Sequence, residues 1–131
     1  MNPVIYANKG IMVFLSDDLE DCLRMFPWRG NVYWNKSDTG NVTVYAVSKE
    51  PVGVDIEYKK ERPFEKISRR YFHTHEVTNN KEVFYDLWCK KEAYAKWKKD
   101  KIALNMQTEF HGSRFIPLTD LPNNCVGYLC T

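Results

Sequence analysis

The apolar positions of this 131-residue chain change period along its length, and the changes divide it into elements. Residues 4–7 (VIYA) and 11–15 (IMVFL) are short apolar runs separated by Asn8, Lys9 and Gly10, the composition of a hairpin. Ser16 then offers an N-cap, Asp17 and Asp18 place negative charge in a first turn, and Leu19, Cys22, Leu23 and Phe26 recur at helical spacing until Pro27. VYW is followed by NKSDTGN, rich in turn formers, and then by VTVYAVS, whose β-branched and aromatic content predicts a strand. SKEP turns the chain into VGVDIEY.

Pro63 is placed as the first residue of a helix in which Phe64, Ile67 and Tyr71 share a face, and THEVTNN reads as a loop. From Lys81 to Lys99 a longer helix is expected, with Phe84, Leu87, Trp88, Tyr94 and Ala95 on one stripe and no Gly or Pro to interrupt it. IALNMQ, TEF-HGS-RFIPL with a hairpin at Gly112, and CVGYLC read as strands. The order β, β, α, β, β, α, α, β, β, β predicts an α+β fold with a mostly antiparallel sheet packed with helices.

The length fits one domain, residues 1–131, with a core that needs no staples. With 19 basic and 17 acidic residues the net charge is +2, so global charge argues for neither a nucleic-acid binder nor a membrane-bound protein. Cys22, Cys89, Cys125 and Cys130 form no CxxC pair and are expected as free thiols without an activating partner. The N-terminal stretch has only Lys9 as a basic residue and broken apolar runs, unlike a secretory signal, and no run approaches transmembrane length. The expectation is a soluble protein of a reducing compartment, the cytoplasm.

Candidate chemistry begins at VGVDIE. On a strand, Val52, Val54 and Ile56 share one face while Gly53, Asp55 and Glu57 share the other. An edge strand with a solvated polar face explains that pattern in isolation. The long helix adds LWCKKEAYAK, in which Trp88, Glu92 and Lys96 form one line at the edge of the apolar stripe. A surface Glu-to-Lys pair of about 0.2–0.5 kcal/mol explains that line in isolation too. Together the segments offer three carboxylates, Asp55, Glu57 and Glu92, which would repel unless a cation sat between them. All-oxygen ligation favours a hard ion such as Mg²⁺, and Mg²⁺ held by few carboxylates completes its shell with water and substrate phosphate.

GVDIE followed by WCKKEAYAK resembles the signature of the 4′-phosphopantetheinyl transferases, in the group closer to surfactin synthetase activators than to holo-acyl-carrier-protein synthases. The similarity extends back through NKSDTGNVTVYAVSKEPVGVDIE, matching an Asn, a Ser-His-Ser-Gly turn, a strand and a Pro-Val-Gly hairpin. The resemblance implies transfer of the phosphopantetheine arm of coenzyme A to a serine of an apo carrier protein of acyl, polyketide or peptidyl type. It implies Asp55, Glu57 and Glu92 as Mg²⁺ ligands, Glu92 also as the base, and Lys96 on phosphate with help from Lys91. It sets Ser37, Asp38 and Thr39 near the nucleotide. Where the family has the His of that turn, used on the 3′-phosphate of coenzyme A, this chain carries Asp38, which would repel it; Lys36 or Arg29 would have to offset the repulsion. Larger members are pseudo-dimers of two halves, so residues 1–40 correspond to a reduced first part and 41–131 to the core, with a homo-oligomer as one way to complete the site.

His73 and His75 flank Thr74, but zinc needs three or four ligands, and both are expected to be solvent-exposed; His111 is expected in the hairpin. Two other readings stand beside the transferase. One is a degenerate relative that binds carrier proteins without chemistry. The other is a nucleic-acid module built on KKEAYAKWKKDK, which leaves the three carboxylates without a purpose.

Overall fold

A computed structural model describes residues 3–99 and 114–131. Strands β1 (Val4–Asn8) and β2 (Ile11–Leu15) form the expected hairpin, with Gly10 at φ +84 in the left-handed region that a tight turn needs. Helix α1 (Leu19–Met25) starts two residues later than the sequence suggests. Its N-cap is Asp18, which accepts from the Asp21 amide, while the Ser16 hydroxyl accepts from the Asp18 amide.

NKSDTGN is no loop: strand β3 runs Tyr33–Thr39 and turns only at Gly40 into β4 (Val42–Ser48). Three strands therefore separate the first and second helices, β5 (Gly53–Tyr58) being the third. Helix α2 (Phe64–Tyr71) begins at Phe64, with Pro63 as its N-cap, and the following loop holds one 3₁₀ turn, Thr74–Glu76. Helix α3 (Lys81–Lys98) is capped by the Asn80 side chain and closed by Lys99 in the left-handed conformation. Strands β6 (Phe115–Pro117) and β7 (Cys125–Cys130) complete the described chain. IALNMQ, TEF and the hairpin at Gly112 with His111 lie outside the described residues.

The strands form two antiparallel sheets, β1-β2-β4-β3 and β5-β7-β6, in the α+β arrangement expected. Val13, Val44 and Ala46 of the first sheet pack with Val54, Ile56 and Leu129 of the second in one core. Helix α1 covers the other face of the first sheet through Cys22 and Phe26 against Phe14, Tyr45 and Val47. Helix α3 covers the second sheet: Ala93, Tyr94 and Trp97 meet Tyr128 and Cys130, and Trp88 stacks on Phe84 at 5.6 Å between ring centres.

Gly53 controls how closely α3 lies on β5. A Cβ there would stand 2.1 Å from the Ala93 carbonyl oxygen and 2.6 Å from the Trp97 amide nitrogen, both backbone atoms that cannot swing aside. Gly53→Ala is therefore expected to lower stability by about 1–3 kcal/mol, the scale of overpacking a filled interior. A urea midpoint equal to that of the wild type would show that α3 has room to move.

Candidate active site

Sheet edges β3 and β5 run side by side in the same direction, but no backbone ladder joins them. Side chains take its place. Asn35 Oδ1 accepts from the Val54 amide at 2.8 Å, Ser37 Oγ from the Ile56 amide at 3.0 Å and Thr39 Oγ1 from the Tyr58 amide at 3.2 Å. Alternation along β3 points these three residues the same way, which makes three matched rungs. A side-chain rung is longer than a backbone one, so the strands stand further apart than the about 4.8 Å of an ordinary pair. Lys96 enters that gap from α3 and donates to the Lys36 carbonyl at 3.1 Å and the Val54 carbonyl at 3.0 Å.

Asp55 projects from β5 toward α3 and is 2% exposed, in contrast to a solvated strand face. One oxygen each of Asp55, Glu57 and Glu92 lies within 4.8 Å of the others, so the three carboxylates paired by sequence do converge. Ser37 Oγ donates to Asp55 Oδ1 at 3.3 Å, and Lys96 Nζ lies 3.5 Å from the same oxygen. Asp55 Oδ2 is buried and has no hydrogen-bond donor among the described residues, its carboxyl facing those of Glu57 and Glu92. Beneath the cluster the Cys89 thiol donates to the Asp55 carbonyl at 3.1 Å, and burial, reinforced by the Asp55 charge, holds that thiol well above its ordinary pKa.

Burial, and then the charges of Glu92 and Glu57, push Asp55 well above the ordinary carboxyl range. Glu57, chiefly through burial, is raised from 4.5 to about 7. With Lys96 as the cation touching Asp55, three ionised carboxylates leave two negative charges in excess, the charge of one divalent ion. Three hard oxygen donors and a buried unpartnered carboxylate oxygen fit Mg²⁺.

The other expected residues are dispersed. Ser37 and Thr39 are rungs of the seam. Asp38 points to the opposite side, its side chain 60% exposed and 3.8 Å from Lys36. Arg29 is exposed on the loop after α1 and reaches the Phe26 carbonyl at 3.4 Å. Lys91 stands apart from the cluster: its side chain is wholly buried and its ammonium pairs with Glu76 at 2.8 Å, so it meets no incoming ligand in this arrangement. The three partners of Lys96 match the three donors of an ammonium, so a contact with phosphate requires it to exchange one of them. The sequence reading passed over the structural roles of Asn35, Gly53 and Cys89; the alternation Asn35, Ser37, Thr39 was the available signal for the first.

A family profile described as the 4′-phosphopantetheinyl transferase superfamily matches residues 51–124, which contain all of β5 and α3. The chain belongs to that superfamily. It is also 35% identical over 74 residues to the 4′-phosphopantetheinyl transferase gsp of Aneurinibacillus migulanus, covering 50% of this chain and 31% of that protein. It thus spans less than a third of this curated phosphopantetheinyl transferase relative. All three carboxylates and Lys96 fall within the family match, whereas Arg29, Ser37, Asp38 and Thr39 precede it.

Because the folded state binds protons more tightly at Asp55 and Glu57 than the unfolded chain does, their contribution to stability is fully present below the ordinary carboxyl values. The part due to Glu57 is lost as pH rises through about 7, and the part due to Asp55 as pH rises through its own raised value. Metal-free protein in chelator is expected to melt lower at about pH 8 than at about pH 5, and added Mg²⁺ to raise the melting temperature mainly at the higher pH. A melting temperature indifferent to Mg²⁺ at both values would remove the cation site.

Proposed function

We propose that this chain transfers the 4′-phosphopantetheine group from coenzyme A to a serine of an apo acyl, polyketide or peptidyl carrier protein, releasing adenosine 3′,5′-bisphosphate. The observation that carries the reading is the convergence of Asp55, Glu57 and Glu92 within 4.8 Å in a chain of this superfamily, with Asp55 Oδ2 left buried and unpartnered among the described residues. Those three carboxylates would hold Mg²⁺. When bound, the ion supplies charge neutralisation at the pyrophosphate as the bond between its phosphates breaks.

The chain's own groups divide the remaining work. Glu92, half-buried on α3, accepts the proton of the acceptor serine hydroxyl as that oxygen attacks the phosphorus next to the pantetheine arm. The bridging oxygen leaves with the nucleotide. Lys96, held between Lys36 and Val54 carbonyls, puts a fixed positive charge beside the cluster. Trp88, packed on Phe84 and Phe72, keeps α3 in place and does no chemistry.

A second reading rests on Asp38. Its exposed carboxylate beside Lys36 offers repulsion where the family pattern carries a His for the 3′-phosphate, which would suit a relative that binds carrier proteins without transfer.

Mass spectrometry separates the two. Apo carrier proteins incubated with the protein, coenzyme A and Mg²⁺ are expected to gain one phosphopantetheine, and chelator to stop the gain. Asp55→Ala and Glu92→Ala are each expected to slow it by about a hundredfold or more while retaining the fold, the scale of losing a group that stabilises transition-state charge. Full activity in both variants would remove the proposed site. No gain on any carrier by a folded protein that still binds them would favour the second reading.

A further inference from the structure

We infer that Ser37 is a positioning residue of the carboxylate cluster: its hydroxyl, fixed by the Ile56 amide, anchors Asp55 Oδ1 and so leaves Oδ2 as the oxygen offered to a cation. The inference rests on the metal reading above and assigns Ser37 a role other than a place beside the nucleotide.

A serine hydroxyl has one hydrogen to give. The Ile56 amide donates to Ser37 Oγ at 3.0 Å, which occupies a lone pair and turns the hydroxyl hydrogen elsewhere. Ser37 is 4% exposed, so solvent offers little competition, and the acceptor in reach is Asp55 Oδ1 at 3.3 Å. Lys96 Nζ, 3.5 Å from the same oxygen, reinforces the asymmetry. The two oxygens of one carboxylate thereby become unlike: Oδ1 is held from two sides, and Oδ2 is buried without a hydrogen-bond partner among the described residues.

The neighbouring rungs supply an internal control. Thr39 accepts from the Tyr58 amide by the same geometry, and that bond joins the same two strands two residues further along. The contact to Asp55 is thus an addition at Ser37 rather than a property of the rung. Partners that orient metal-ligating side chains typically matter by about 10–100-fold in metal affinity.

The test is a Mn²⁺ titration of the purified protein, read from the electron paramagnetic resonance signal of free Mn²⁺, with Mg²⁺ as competitor. Ser37→Ala is expected to weaken Mn²⁺ binding by about 10–100-fold. Thr39→Val is expected to lower the melting temperature and leave Mn²⁺ affinity unchanged, a split that a purely structural seam would not produce. Ser37→Cys, which fills the same space with a weak donor, carries the same comparison if the alanine variant does not fold. Wild-type affinity in folded Ser37→Ala or Ser37→Cys would overturn the positioning role while leaving the metal site standing. Equal weakening by Thr39→Val would overturn it in favour of the seam as a whole. Failure of the wild-type protein to bind Mn²⁺ would overturn the metal reading and this inference with it.

Discussion

The seam between β3 and β5 is made from side chains where a sheet would use backbone. The amides of Val54, Ile56 and Tyr58 point away from β7 and would otherwise be left without partners. An unsatisfied buried polar group costs about 1–3 kcal/mol, so the Asn35 and Ser37 oxygens satisfy amides that the shared apolar core alone would leave unpaired, and Thr39 extends the seam to the exposed Tyr58 amide. Length matters as much as bonding. The longer rungs leave a gap wide enough for the Lys96 ammonium, which binds a carbonyl on each side of it. The same device that closes the core therefore opens a polar recess beside Asp55.

That recess is held against electrostatic cost. Three carboxylates at one place repel, and burial makes ionisation of Asp55 and Glu57 harder still. What prevents the elements from moving apart lies around the cluster. Gly53 lets α3 lie directly on the strand, Cys89 ties the helix to the Asp55 carbonyl, and Tyr94 and Trp97 pack the same helix against the second sheet. A cluster pinned from its periphery cannot relax by spreading. A divalent cation at the centre, as proposed above, would relieve it and turn a local instability of the metal-free chain into differential affinity for the ion.

How far the sequence revealed this depends on what each residue's signal competes with. Apolar alternation in VGVDIE and the line Trp88, Glu92, Lys96 were legible because both are periodic, and they correctly paired the carboxylates of β5 and α3. NKSDTGN was not, because Asn, Ser, Asp, Thr and Gly favour turns when their side chains bond their own backbone. In β3 the oxygens of Asn35, Ser37 and Thr39 bond a different strand, so tertiary context overrides the local preference. Burial was also hidden: nothing in composition distinguishes Lys91, enclosed with Glu76, from an exposed lysine of the same helix.

The fate of those lysines bears on what kind of partner the helix suits. In sequence they form one basic strip, as a reader of nucleic-acid backbone would need. On the helix, successive residues turn by about 100°, and the structure distributes their charges among separate neighbours. Lys90 pairs with Asp86 at 3.1 Å, Lys91 with Glu76 at 2.8 Å, Lys96 turns into the seam, and Lys98 lies over Tyr94. No single face collects all four. Negative charge behaves in the opposite way: Asp55, Glu57 and Glu92 come from two elements and meet at one point. Concentrated acidity with dispersed basicity suits a cation better than a nucleic-acid backbone, and the acidic point lies on β5 and α3, the two elements inside the superfamily match.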